Sequence, residues 1–246
     1  NELHGGWRGE RRFKLAKRQD ESASISSFYF KPSDNGAIPD FKPGQYITIL
    51  LTIDGQSIRR NYSLSDAPGA DYLRISVKRE GLASNYLHDK LKINDEVSLL
   101  SPCGDFTLLK NNKPLVLLTA GVGITPAISM LNAESGSTRK INFIHAAINS
   151  QTHAFKRHVD GLCADNDNIS SLYVYSEPMA NCHADANGFV TSELFGAQLA
   201  GNSDVELYLL GPLPFMQDML KIAKQLKVPE SQIHYEFFGP AADLAV

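Results

Sequence analysis

The amino-acid sequence predicts two domains: an antiparallel β-barrel followed by an α/β domain built on a doubly wound parallel sheet. Three observations carry that expectation. The chain has 246 residues, more than one small module needs when a domain usually takes ~150. Its first part reads as short β-rich runs separated by turn residues. Behind a polar stretch at residues 110–114 the texture changes to longer apolar runs that alternate with helical patterns.

The expected barrel strands are 13–17, 24–31, 46–53, 59–64, 73–78, 96–101 and 105–109. Between them stand Lys42-Pro43-Gly44, Asp54-Gly55, Ala67-Pro68-Gly69 and Ile93-Asn94-Asp95, all residues that fix or tolerate turn dihedrals. A short helix at about 85–90 interrupts the series. Lys110-Asn111-Asn112-Lys113-Pro114 breaks strand pairing and sets the boundary, giving domains of 1–110 and 111–246, with 1–9 as linker. Leu115-Val116-Leu117-Leu118-Thr119 then forms a continuous apolar run, as a parallel strand buried on both faces requires. Similar runs follow at 141–147, 171–175, 205–210 and 233–237. Among the intervening helices, 215–227 is the clearest, with Phe215, Met216, Met219, Leu220, Ala223 and Leu226 on one face.

Composition narrows the function. Hydrophobic residues at 43% and charged residues at 21% are globular values, which excludes disordered, collagen-like and fibrous chains. A net charge of -3 argues against nucleic acid as a partner, because phosphate backbones are bound by concentrated positive surface. Residues 1–18 are locally basic, with Arg8, Arg11, Arg12, Lys14, Lys17 and Arg18 against Glu2 and Glu10. They read as a solvated strand face or as a docking patch for an acidic partner. Cys103, Cys163 and Cys182 are odd in number and never CxxC, so neither a disulfide framework nor a cysteine-held cluster is expected. No apolar run approaches the ~20 residues of a membrane span, and a cytoplasmic location with no membrane partner is expected. Asn1 is not methionine, and Leu3-His4-Gly5-Gly6 resembles the end of a helix; an N-terminal domain is expected to precede this chain.

Three motifs carry chemistry. Strand 115–119 runs into Ala120-Gly121-Val122-Gly123-Ile124-Thr125-Pro126 and then a helical pattern, with Thr125 as a possible cap and Pro126 suited to the first turn. Glycines there allow close backbone approach, and free amides at a helix start suit a pyrophosphate. GxGxxP departs from the dinucleotide fingerprint GxGxxG, so a plain strand-to-helix turn stays open on local evidence. In the barrel, Arg59-Arg60-Asn61-Tyr62-Ser63 puts Arg60 and Tyr62 on one strand face and Ser63 on the other. A guanidinium can clamp a phosphate and a tyrosine can stack on a ring; a half-exposed strand is the plainer alternative. Gly81-Leu82-Ala83-Ser84-Asn85 offers a glycine, a serine N-cap and a helix start, a second possible anion site.

Arg-x-Tyr-Ser on a barrel strand, Gly-x-x-Ser at a short helix and Gly-x-Gly-x-x-Pro after the first parallel strand together resemble the ferredoxin-NADP reductase superfamily. Gly6-Trp7-Arg8-Gly9, Pro43-Gly44-Gln45-Tyr46, Val77-Lys78-Arg79-Glu80, Ser84-Asn85-Tyr86-Leu87-His88, Gly104-Asp105-Phe106, His145-Ala146-Ala147 and Tyr235-Glu236-Phe237-Phe238-Gly239-Pro240 resemble the reductase half of flavohaemoglobins, the nitric oxide dioxygenases. The resemblance implies an oxidoreductase that takes hydride from NADH or NADPH onto FAD and passes electrons to a haem in a globin domain outside this chain. It implies that Tyr46, Arg60, Asn61, Tyr62 and Ser63 hold FAD, with Arg60 on its phosphates, Tyr62 against the flavin ring and Ser63 near its reactive nitrogen. Leu82, Ala83 and Ser84 would offer amides to the FAD pyrophosphate. Gly121, Val122, Gly123, Ile124, Thr125 and Pro126 would take the NAD(P)H pyrophosphate, with Gly211 and Pro212 beside them. Phe237, Phe238, Gly239 and Pro240 would close over the flavin, and Glu236 would sit near the hydride path. Leu210 departs from the pattern, since many relatives have cysteine there.

Two other readings remain. One is a freestanding flavin, ferredoxin or haem-protein reductase; the other is a flavin- or nucleotide-binding regulatory module without turnover. No metal site is expected: Cys182, His183 and Asp185 stand close together, but a structural zinc needs four ligands at paired spacing.

Overall fold

The computed structural model describes residues 6–237. The chain divides into two compact units, Asn1–Leu109 with Ile128–Ala133, and Lys110–Ala127 with Glu134–Val246.

In the first unit six strands, β1 (Arg11–Asp20), β2 (Ile25–Pro32), β3 (Tyr46–Ile53), β4 (Gln56–Ser63), β5 (Leu73–Lys78) and β6 (Glu96–Leu99), pair antiparallel in the order β4-β3-β6-β1-β2-β5. A bridge from Leu64 to Ile75 joins the chain leaving β4 at one edge to β5 at the other. The two edges therefore meet, as a barrel requires. Along β3, Ile47, Ile49, Leu51 and Ile53 alternate inward onto Phe13, Phe28, Phe30 and Leu99. Asp54 and Gly55 both take positive φ, the signature of a two-residue hairpin. That tight turn pairs polar Gln56 and Ser57 with β3, so β4 begins three residues before the expected 59.

Two expectations for this unit are corrected. Residues 105–109 form no strand; Gly104 at φ 115° turns the chain, and pairing ends with the Tyr46–Cys103 bridge. The short helix α1 runs Leu82–Asp89, with Gly81 rather than Ser84 as its N-cap. Ser84 acts from inside the first turn, its hydroxyl accepting the Glu80 and Gly81 amides at 3.0 and 2.8 Å.

The second unit holds β7 (Leu115–Ala120), β8 (Ile141–Ala147), β9 (Ile169–Tyr175), β10 (Ala186–Asn187), β11 (Glu206–Leu210) and β12 (Ile233–Tyr235), parallel in the order β10-β9-β8-β7-β11-β12. Helices α2 (Ile124–Glu134), α3 (Lys156–Asp165), α4 (Ser192–Leu199) and α5 (Leu213–Gln225) connect them. Strands β7 and β11 are buried at every residue, which accounts for their unbroken apolar runs. Helix α5 buries Met216, Met219, Leu220 and Ala223 against Leu207 and Leu209 in one cluster. It starts two residues before the expected 215 because Pro212 caps it and Pro214 fits its first turn. Thr125 is not a cap: α2 begins at Ile124, and the Thr125 hydroxyl donates to the Val122 carbonyl at 3.2 Å. β12 ends at Tyr235, leaving Glu236 and Phe237 beyond the strand that 233–237 was expected to form. The two-residue β10 carries no periodic signal and is found only in the fold.

Candidate cofactor-binding sites

In the first unit the register of β3 against β4 sets Tyr46 opposite Ser63, Ile47 opposite Tyr62, Thr48 opposite Asn61 and Ile49 opposite Arg60. The implied flavin residues of the two strands thus share one end of a single hairpin. Asn61 is fixed by the Thr48 hydroxyl, which donates to its side-chain oxygen at 2.8 Å. Tyr62 is half-buried against the barrel core; burial pushes its hydroxyl up, and the nearby Arg60 cation pulls it back. Ser63 is buried, whereas Arg60 is exposed. The Arg60 guanidinium donates to the Arg59 carbonyl at 2.8 Å, and among the described residues no carboxylate pairs with it. An exposed cation beside a half-buried aromatic ring is the donor set that a dinucleotide with a flat ring and phosphates asks for.

Helix α1 supplies the second element. The amides of Leu82, Ala83 and Ser84 occupy its first turn, where no intrahelical acceptor exists, and hydrogen bonding resumes with Asn85 on Gly81. Leu82 is 59% exposed, and no acidic side chain lies in that turn to repel an anion. The other end is anchored by His88, whose Nε2 donates to the Val77 carbonyl at 2.9 Å.

In the second unit the chain goes from β7 to β8, β9 and β10 on one side and returns to β11 and β12 on the other. The switch point therefore lies between β7 and β11, where open α/β sheets bind ligands beyond the strand carboxyl ends. Gly121-Val122-Gly123 forms a 3-10 turn directly after β7. Gly121 takes φ 54° with open space where a side chain would stand, and Gly121 and Val122 stay half-exposed. Gly123 does the opposite, since a Cβ there would lie 2.6 Å from the Leu210 carbonyl carbon and oxygen. Gly211 is crowded by side chains instead, the Phe215 ring at 2.7 Å and the Ala120 Cβ at 3.1 Å. Glycine is thus required at 123 for close packing against backbone, and favoured at 121 for backbone direction. Ile124, Thr125 and Pro126 are buried and support the turn, and α2 carries no acid in its first turn. The position fits a phosphate against the free amides of α2.

A family model described as "Oxidoreductase FAD-binding domain" matches residues 12–108, and one described as "Oxidoreductase NAD-binding domain" matches residues 117–221. The crystal structure of the flavohem-like FAD/NAD binding domain of nitric oxide dioxygenase from Vibrio cholerae is 36% identical, with a TM-score of 0.87 over 94% of this chain and 99% of that one. The chain belongs to the flavohaemoprotein family of FAD- and NAD-binding reductases. It is an NAD(P)H-dependent flavin oxidoreductase, with FAD and NAD(P)H as its cofactors. Flavohaemoproteins from Pseudomonas aeruginosa and Pseudomonas putida are 48% and 49% identical over 98% and 99% of this chain. The chain spans 62% of the length of each of those relatives. A flavohaemoglobin from Malassezia yamatoensis with bound FAD and haem, 24% identical, shares the fold with a TM-score of 0.81 over 96% of this chain and 62% of that one.

Other expected residues lie as follows. Glu236 is half-buried beyond β12. Phe237 packs against the core of the second unit, while Phe238, Gly239 and Pro240 lie outside the described residues. The β12 strand is anchored by His234, whose Nε2 is 2.7 Å from Glu206 on β11 and whose ring stacks on Tyr208. Cys182 accepts amides from Ser150 and Met179, and the Ser150 contacts hold its thiol below the ordinary range. Asp185 accepts the Tyr173 amide at 2.7 Å. No helix among the described residues is long and apolar enough to cross a membrane.

Arg74 is the residue that sequence reasoning missed. It stands inside β5, and its burial at 8% exposure leaves no mark in a linear pattern.

Proposed function

We propose that this chain is the reductase part of a nitric oxide dioxygenase, passing electrons from NAD(P)H through FAD to the haem of a globin domain outside these 246 residues. The flavin domain would end near residue 110 and the nicotinamide domain begin there, in a cytoplasmic protein. The observation that carries the reading is the glycine turn at the switch point of β7 and β11, in a chain whose barrel also presents Arg60, Tyr62 and Ser63 from one hairpin. The Vibrio cholerae relative, which aligns over 99% of its own length, is named a nitric oxide dioxygenase domain, and this supports the choice of acceptor.

FAD, when bound, takes a hydride as a pair of electrons and gives the electrons up singly. What this chain supplies is binding and orientation. Arg60 clamps the FAD phosphates by charge-assisted hydrogen bonds, and the first-turn amides of Leu82, Ala83 and Ser84 donate to the pyrophosphate oxygens. Tyr62 would pack on the ring with Tyr46 alongside, and Ser63 would offer its hydroxyl to the ring's reactive nitrogen, while Asn61 is held in place by Thr48. Residues 121–126, with Gly211 and Pro212, bind the nicotinamide dinucleotide, and Glu236 serves the hydride path.

The test is to load the chain with FAD and supply NADH. Ferricyanide reduction should proceed and nitric oxide consumption should be absent, while a fused family globin should be reduced in stopped flow faster than the same globin added in trans. Ferricyanide turnover without reduction of any fused globin would favour a freestanding reductase. Tight FAD binding with no reduction by either nicotinamide would favour a regulatory module.

A further inference from the structure

The donors of Arg74 all turn toward the short segment that leaves β4 just after Ser63 and the ring that stands over them. Its Nε donates to the Ser65 hydroxyl at 3.2 Å, and an Nη2 donates to the Ser65 carbonyl. Nη1 lies 3.3 Å from the Asp66 carboxylate and 3.4 Å from the Tyr29 hydroxyl. The Arg74 backbone joins in, its carbonyl accepting the Ser65 amide at 2.9 Å. Ser65 is fully buried, so its amide, carbonyl and hydroxyl all meet one residue of β5. Asp66 is braced in turn by the Tyr72 hydroxyl, which donates to it at 2.8 Å.

A guanidinium this deeply buried is retained against a large desolvation penalty, and barrel closure does not demand it. Closure is already made by the Leu64–Ile75 bridge and by Leu64 itself, fully buried in the barrel core. The charge instead grips the irregular backbone directly beyond the strand end that presents Tyr62 and Ser63. Behind it, the Ser65 hydroxyl lies 2.7 Å from that of Ser76, the Ser76 hydroxyl lies 2.8 Å from that of Ser27, and the Ser27 hydroxyl donates to Glu21 at 2.6 Å. The grip is therefore tied across β5 and β2 to the end of β1 rather than to a single neighbour.

We propose that Arg74 is a positioning residue for flavin reduction, orienting the Tyr62 ring and the Ser63 hydroxyl by clamping Ser65 and Asp66. The proposal rests on the reading of the chain as a flavin reductase. Arg74→Lys keeps the charge but loses the fork. Bound FAD should show a shifted visible band, and the first-order rate of flavin reduction at saturating NADH should fall about tenfold or more. The NADH concentration at half-maximal rate should stay unchanged, because residues 121–126, Gly211 and Pro212 keep their side chains. Ser65→Ala removes only the hydroxyl's contacts and, with Ser65→Thr as the variant that keeps the hydroxyl, provides the same readout should Arg74→Lys fail to fold. A wild-type spectrum and reduction rate in the folded variants, with only thermal stability lowered, would make Arg74 a structural prop and overturn the proposal. Wild-type chain that binds no FAD, or whose FAD NADH does not reduce, would instead overturn the parent reading, and the clamp with it.

Discussion

Gly123→Ala tests whether the turn after β7 is set by its packing on β11. A Cβ at 123 would lie 2.6 Å from the Leu210 carbonyl carbon and oxygen and 2.8 Å from the Gly211 nitrogen, where ordinary contact begins at 3.4 Å. All three atoms are backbone, so no rotamer change relieves the overlap, and the turn must move from the strand end by about 0.8 Å. Overpacking of that kind costs about 1–3 kcal/mol of stability. A displacement near 1 Å at a binding group lowers the reaction rate by up to ~10²-fold. NADH-dependent ferricyanide reduction should therefore lose roughly 10- to 100-fold in kcat/KM, whereas FAD content and dithionite reduction of the flavin stay unchanged. Gly121→Ala is the comparison, because nothing lies within 4 Å of its Cβ position and only the positive φ opposes a side chain; backbone strain there is about 1–2 kcal/mol. A folded Gly123→Ala chain with wild-type kcat/KM for NADH would refute the argument that this contact sets the position of the nicotinamide phosphate.

Three further outcomes are expected. Arg60→Ala should leave the fold intact, since the side chain is exposed. It should weaken FAD binding by about 1.5–3 kcal/mol, measured by equilibrium dialysis; unchanged affinity would remove Arg60 from the site. NADH should be preferred to NADPH by kcat/KM, because the turn after β8 contains no cation and, of the two cations that follow it, Lys156 is engaged by Asp160 at 2.7 Å and by the Tyr173 ring; an NADPH preference would point to exposed Arg157 or to a more distant cation. Burial also makes the second unit acid-sensitive, holding His153 at about 4 and His145 well below its ordinary value. With both folded values depressed, the unfolded chain takes up protons first, so stability is complete above the ordinary value of 6.5 and is lost as pH falls toward 4. The His153 share is about 3 kcal/mol, and urea midpoints between neutral and acid pH should drop less in His153→Gln than in the wild type.

The sequence by itself determined the order of the domains and the identity of most strands. Unbroken apolar runs such as 115–119, too short for a helix and bounded by turn residues, read as strands covered on both faces, and turn residues such as Asp54-Gly55 fix where a hairpin closes. It also singled out Arg60, Tyr62, Ser63 and the glycines at 121 and 123, because residue type and spacing on a local element are linear information. Boundaries that depend on a partner were not legible. β4 begins early because a tight turn pairs Gln56 and Ser57 with β3, and residues 105–109 lack a strand because Gly104 turns the chain away. Ser84 and Thr125 looked like caps, yet each hydroxyl bonds backward from within its helix. Tertiary structure alone decided that Gly123 faces Leu210, that β7 and β11 form the switch point, and that Arg74 grips Ser65. Those facts join residues distant in sequence through backbone atoms that every residue shares, so no pattern of side chains along the chain records them.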